Sequence, residues 1–351
     1  MAGQEKTWSL KSAYILTWQY LLMVASTMPF VHSSTSCHLG QLPGTWIEGA
    51  SRGNRYRLLT EPGSVCQIKN YIQALEFQES VINSDGMNSP HQVSILFLGD
   101  SVDRETVEPF CKMMRGFILP KNKTKIERQS IFSYCMTESG LLQLGYMYLF
   151  GVHPTGPYMG GSSSPNTQLR IKRAIRDFKA VFKVSHPHAI VIASNFWDIG
   201  RICDPKLNGL SPLLCSGPAL PELFLQQWMV NFTLAINTVM DELKPFKPLL
   251  IYHTEVKPQV LNDTNGQTRW ANKLGKLQYV AQLNAAGRMA SQKLGMHVVD
   301  LAVMADGFTW EQSSRDCHHP KEELLQEFFN VYLNMIEQRF EQVGYYSTSI
   351  V

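Results

Sequence analysis

A serine after one apolar run and an aspartate–histidine pair before the last helical run are the residues of this sequence whose types suit acyl chemistry. The serine is Ser101, in Gly99-Asp100-Ser101. The pair is Asp316 and His319, in Asp316-Cys317-His318-His319-Pro320. A serine hydroxyl needs a general base to become a nucleophile, and histidine is the usual one. The histidine in turn needs a carboxylate to fix its tautomer and stabilise the imidazolium. Asp and His three positions apart can share one side of a turn, so a single loop can supply both. Taken singly each signal has a plainer reading: Ser101 as a helix N-cap, Asp-x-x-His as a surface turn. His318 is the rival base. Cys317 is a second candidate nucleophile, although an oxidised partner, Cys203 or Cys215, is the better reading of it.

Oxyanion donors are sought in the neighbouring loops. Asn195, in Ser194-Asn195-Phe196-Trp197-Asp198, can offer a side-chain amide or simply cap a helix. The loop with Gly151, Gly156, Gly160 and Gly161 can bring a backbone N–H close to a substrate. Arg104 can bind an anionic or glycan group beside Ser101, or form a surface ion pair. Trp197 can stack on a sugar or fill core. The Gly-x-Ser-x-Gly elbow is absent, because position 103 is Asp.

The elements that must position these residues read as alternating strands and helices. Apolar runs at 93–98, 141–150, 189–193, 248–252 and 297–300 have strand length. Helical stretches are expected at 102–117, 168–184, 221–243, 277–294 and 321–339. This alternation predicts an α/β fold with a mostly parallel central sheet, its strands buried on both faces. In such sheets the ligand site lies beyond the carboxyl ends of the strands, where Ser101, the glycine loop and Asn195 all fall. Residues 34–90 are turn-rich and predict an irregular segment packed on the main domain, 91–345, with a Cys37–Cys66 bridge as a candidate staple.

Residues 1–33 carry Lys6 and Lys11 ahead of an apolar stretch from Ala13 to Val31, the pattern of a secretory signal. It is cleaved near Val24-Ala25-Ser26 or Val31-His32-Ser33, or kept as a signal-anchor, the one route to a membrane expected here, with a buried helix as the plainer alternative. Seven cysteines without CxxC pairs or zinc spacing predict up to three disulfides in an oxidising lumen. Sequons at Asn122, Asn231 and Asn262 point the same way. His153, His186, His188, His253 and His297 have no ligand spacing and read as structural or surface, and no metal or cofactor is expected. A net charge of +3 over 351 residues, with no dense Lys/Arg stripe, argues against a nucleic-acid partner. A composition that is 44% hydrophobic and 17% charged excludes a disordered chain.

These blocks together resemble the serine, asparagine and aspartate–histidine blocks of the SGNH/GDSL hydrolases. The PC-esterase branch, which includes trichome-birefringence-like polysaccharide O-acetyltransferases, is the nearer resemblance. It is carried by Phe97-Leu-Gly-Asp-Ser-Val-Asp-Arg104, by Asp316-Cys-His-His319, and by Cys37 with Gly44-Thr45-Trp46 and Cys66. The Asn block departs from the usual Gly-x-Asn-Asp. The resemblance implies a three-layer α/β/α fold and an acyl-enzyme on Ser101. It implies Asp316 and His319 as partners, with Ser101, Gly151 (ahead of Gly156) and Asn195 around the oxyanion. It favours His319 over His318 as the base. The implied substrate is an acylated glycan or another acyl ester in the secretory pathway, with water or a sugar hydroxyl as acceptor. A silent domain of the same fold that binds carbohydrate or protein is the alternative.

Overall fold

The computed structural model describes residues 39–41, 44–46, 56–58, 68–73, 92–119, 132–137, 140–153, 166–203, 217–256, 277–308, 315 and 319–342. The candidate bridge Cys37–Cys66, the segment 1–33 and the sequons at Asn122 and Asn262 lie outside them.

A seven-stranded sheet organises the chain. Its strands are β3 (Val93–Gly99), β4 (Phe117–Leu119), β5 (Phe132–Met136), β6 (Leu142–Tyr148), β7 (Ala189–Ile192), β8 (Leu249–His253) and β9 (His297–Val299). They lie in the order β4-β5-β6-β3-β7-β8-β9. The five strands from β6 to β9 are parallel, while β5 is antiparallel to both β6 and β4. The predicted α/β architecture with a mostly parallel sheet is the one the chain adopts. The antiparallel edge, β4–β5, was not expected from the sequence.

Every residue of β3 and β6 is buried, which accounts for continuous apolar runs rather than alternation. Alternate side chains serve opposite layers. Leu96 and Leu98 join a core with helices α2 (Thr167–Phe182), α4 (Glu222–Glu242) and α5 (Leu277–Lys293). Phe97 faces the other way, its ring 6.2 Å from Phe329 and 5.9 Å from Tyr332 on α7 (Glu322–Gln342). Phe329 also packs at 4.1 Å on Phe110 of α1 (Ser101–Met113). Helices thus cover both faces in three layers. Shorter helices are α3 (Phe196–Cys203) and α6 (Leu301–Met304). Gly145 leaves room for Phe178, since a Cβ there would lie 2.4 Å from its ring.

Chain order leaves β3 for β6 on one side and β7 on the other, so the carboxyl end of β3 is a topological switch point. Ser101 stands there. Near the N-terminus a two-stranded antiparallel sheet pairs β1 (Gly44–Trp46) with β2 (Tyr56–Leu58). Residues around it dock on the main body. The Lys69 N–H donates to Asn334 Oδ1 at 2.9 Å and Asn334 Nδ2 donates back to the Lys69 carbonyl at 2.9 Å. The Tyr71 N–H donates to Asn330 Oδ1 at 2.9 Å. A disulfide joins Cys111, near the end of α1, to Cys135 in β5. Asn231 lies within α4 and is 4% exposed, accepting from Gln227 Nε2 at 3.1 Å. That sequon therefore has no room for a glycan in the folded chain. Among the described residues, no helix is long and apolar enough to cross a membrane and no side-chain cluster could hold a metal ion.

Candidate active site

Helix α1 starts where it does because Asp100 caps it. Its carboxylate accepts the Val102 N–H at 2.8 Å, and Asp103 reaches back to the Asp100 N–H at 3.2 Å. Ser101 is therefore the first helical residue, half-buried, at the positive end of the helix dipole. Its Oγ lies 2.8 Å from Nε2 of His319, 218 positions away. That distance is direct hydrogen-bond reach for proton transfer.

The His319 loop is closed and stapled. The Arg315 N–H donates to the His319 carbonyl at 2.9 Å. The Arg315 guanidinium sits 2.8 Å from Glu105, one turn below Ser101 on α1. Glu105 also pairs with Arg104 at 3.3 Å and stands 3.9 Å from His319 Nε2. Asp316, Cys317 and His318 lie outside the described residues, as do Gly156, Gly160, Gly161 and Cys215.

The loop after β6 is held in an unusual shape. Phe150 and Gly151 have φ of 54° and 101°. For Phe150 this left-handed conformation costs roughly 1–2 kcal/mol. Packing offsets it: Phe150 stacks on Tyr148 at 4.4 Å, and Arg170 lies over its face at 5.7 Å while donating to the Tyr148 carbonyl. At position 151 only glycine fits, because a Cβ would meet Asp198 Oδ1 at 2.4 Å. Among the described residues the N–H groups of Ser101 and Gly151 meet no acceptor. They are two of the unbonded backbone donors at the ends of the adjacent strands β3 and β6.

Asn195 is placed differently from the sequence expectation. It is fully buried, and its carbonyl accepts the Ile199 N–H at 3.2 Å as the cap of α3. Its amide donates to Asn284 Oδ1 at 2.7 Å and to the Tyr252 hydroxyl at 3.3 Å. Asn284 is itself oriented by the Glu255 backbone on both sides, so the pairing fixes the direction of the Asn195 amide. Both amide hydrogens are spent inside the core, leaving none for an oxyanion.

Trp197 is half-buried and edge-on to Phe150 at 4.9 Å and Tyr148 at 6.1 Å, so it walls the glycine loop. Arg104 is about one-third exposed, its guanidinium 5.8 Å from the Tyr148 ring centre.

The structure adds residues that sequence reading did not place here. Tyr148, buried and opposite Gly99 in the sheet register, brings a phenol hydroxyl to the same rim. Burial and then the charge of Asp100 push that hydroxyl up to about 12, so it is a donor at any working pH. Beneath α1 lies a buried polar group on β8 and its loop. His253 pairs with Asp103 at 2.9 Å. Burial alone would lower the imidazole, but the Asp103 carboxylate outweighs it and holds His253 above its ordinary value. Glu255 faces Asp100, and burial raises both carboxyls. The rule of strand carboxyl ends pointed to the loop after Tyr252, where His253 and Glu255 stand. Both lie behind α1, the helix that carries Ser101.

No protein-family model matches the sequence, and no curated protein matches it. Solved structures similar to the chain include a GDSL-like lipase from Bacteroides thetaiotaomicron, 10% identical, covering 76% of this chain and 98% of its own, with a TM-score of 0.42. An acetyl xylan esterase, AlAXEase, is 11% identical over 70% of this chain and 98% of its own, with a TM-score of 0.38. A carbohydrate acetylesterase from Sinorhizobium meliloti is 10% identical over 70% of this chain and all of its own, with a TM-score of 0.39. At these identities the likeness assigns neither substrate nor residue roles to this chain.

Proposed function

We propose that this chain is a serine-dependent esterase or O-acyltransferase of the SGNH/GDSL kind, akin to the PC-esterase branch, acting on an acylated carbohydrate in the secretory pathway. One observation carries the reading: Ser101 Oγ and His319 Nε2 stand 2.8 Å apart at the switch point of a parallel sheet.

The chemistry runs in two steps. His319 Nε2 takes the Ser101 proton as Oγ bonds to the acyl carbon. The carbonyl electrons move onto oxygen, where the Ser101 and Gly151 N–H groups are the donors at hand. The imidazolium is stabilised by the carboxylate of Asp316 in this reading, and it returns its proton to the departing alkoxide. This leaves an acyl ester on Ser101. Water or a sugar hydroxyl then gives its proton to His319 and attacks the ester, releasing the acid or the transferred ester and restoring Ser101. The disulfide supports an oxidising compartment, and with it a lumenal or secreted location.

The test is labelling with a fluorophosphonate together with turnover of p-nitrophenyl acetate. The wild-type chain should label on Ser101, and Ser101→Ala should lose label and at least about 10³-fold in kcat/KM. Absence of labelling in the folded wild-type chain overturns the reading and leaves a silent binding domain. Mass analysis of acetylated xylooligosaccharides, with and without an acceptor sugar, separates hydrolysis from transfer.

A further inference from the structure

Asp198 is 3% exposed and feels the charge of Arg201 from its own helix. A buried carboxylate of that kind needs a reason, since removing its charge from water is costly. Its bonds give one. It stands in the first turn of α3, beyond β7, and reaches across the end of β3 to the loop that follows β6. There the Val152 N–H donates to both of its oxygens at 3.1 Å. From the far side the Trp228 indole N–H donates to Oδ2 at 2.8 Å. Trp228 is stacked on Phe232 at 5.3 Å, so this second donor is fixed. The carboxylate fills the space that a side chain at position 151 would need.

We infer that Asp198 is a positioning residue: by clamping the peptide between Gly151 and Val152 it aims the unbonded Gly151 N–H as an oxyanion donor. The inference rests on the esterase reading above. Gly151 has a positive φ and no side chain to lock it, and its own N–H meets no acceptor among the described residues. The amide one residue on is the handle by which the turn is held. Asp198 spans the ends of β7 and β6, so the clamp ties the two strands that flank β3 and its nucleophile. It touches no substrate and acts through the backbone of the glycine loop. Its effect therefore falls on the transition state, where the oxyanion has formed, and not on ground-state binding.

Asp198→Asn keeps the shape of the side chain and one oxygen able to accept from both donors, as Oδ2 does. Its NH2 replaces the other oxygen, so an N–H donor faces the Val152 N–H at about the 3.1 Å of Oδ1, and this repulsion displaces the glycine turn. Displacing an oxyanion donor by a fraction of an ångström to an ångström lowers turnover by about 10- to 100-fold. The experiment measures kcat and KM separately for p-nitrophenyl acetate, the fluorophosphonate inactivation rate, and the melting temperature. The expected result is a kcat and an inactivation rate about 10- to 100-fold down, with KM within about threefold. Ser94→Ala is the control. It removes a buried bond to His188 (2.8 Å) at the opposite end of β3, so it should lower the melting temperature and leave kcat alone. Asp198→Ser, which leaves space for a water on the Val152 amide, is the second variant should the first fail to fold. Wild-type kcat in either folded variant, or a loss that appears only in KM, overturns the inference. A wild-type chain that neither labels nor turns over overturns the esterase reading instead, so the two failures are distinct.

Discussion

Glu255 offers a test that needs no substrate. The side chain is fully buried, and neither carboxyl oxygen has a hydrogen-bond partner among the described residues. It faces Asp100, whose Oδ2 is likewise without one. Burial, and then the negative charges of Asp100 and Asp103, push Glu255 well above its ordinary value of 4.5. The folded chain therefore keeps a proton on Glu255 that the unfolded chain releases above that value. The stabilisation it carries is complete below about 4.5 and is lost as pH rises toward the folded value. For one proton the slope is about 1.4 kcal/mol per pH unit. Asp100, raised in the same direction from 3.8, adds to it.

Glu255→Gln removes the titration and keeps the shape, and its amide can donate to Asp100 Oδ2. The variant should gain on the wild type by about 1.4 kcal/mol between pH 5 and pH 6. Urea denaturation of both chains across that interval measures the gap, provided the dependence on urea is equal in the two. Stability profiles that stay parallel to within about 0.3 kcal/mol would show that the carboxyl is not neutral when folded. The account of the support beneath α1 would then be wrong, because two ionised carboxylates could not face each other there without solvent or a cation.

Two further outcomes follow from the geometry. Replacing Cys111 and Cys135 by serine opens a cross-link with a sequence separation of 24, which should cost roughly 3 kcal/mol in urea-measured stability. A loss under about 1 kcal/mol would mean that the bond does not constrain the unfolded chain as the loop length requires. Arg315→Ala removes the ion pair that ties the His319 turn to Glu105; because Arg315 is 55% exposed, stability should change by less than about 1 kcal/mol. In the acetate assay kcat/KM should fall about two- to fivefold, and an unchanged value would show that the turn holds His319 without the staple.

What the sequence disclosed and what it concealed divide along a physical line. Buried parallel strands are continuous apolar runs, so 93–98, 189–193 and 248–252 were readable to within a residue or two of β3, β7 and β8. Strand β5 was not, because Phe132-Ser133-Tyr134-Cys135-Met136 is short, mixed in polarity and paired antiparallel at the edge of the sheet. Ser101 and His319 were legible because each lies beside an element boundary that marks the same rim of the sheet. The bonds that decide how the rim works were not. Asp103 to His253 spans 150 positions and Asp198 to Val152 spans 46, and neither leaves a local pattern.

Asn195 shows the converse. Its position after β7 is the one the resemblance nominates, yet the side chain turns inward because Asn284, held by the Glu255 backbone, offers it a buried acceptor. An amide so held would have to break a 2.7 Å bond in the core before it could serve an oxyanion. That cost falls on the transition state and works against catalysis. Backbone donors carry no such cost. The Ser101 N–H is left over by the helix geometry, and the Gly151 N–H by a turn whose neighbouring amide is already bonded to Asp198. In the proposed mechanism the oxyanion therefore falls to two peptide groups and not to a side chain, and the proposed part of Asp198, which touches neither substrate nor Ser101, is to hold one of them.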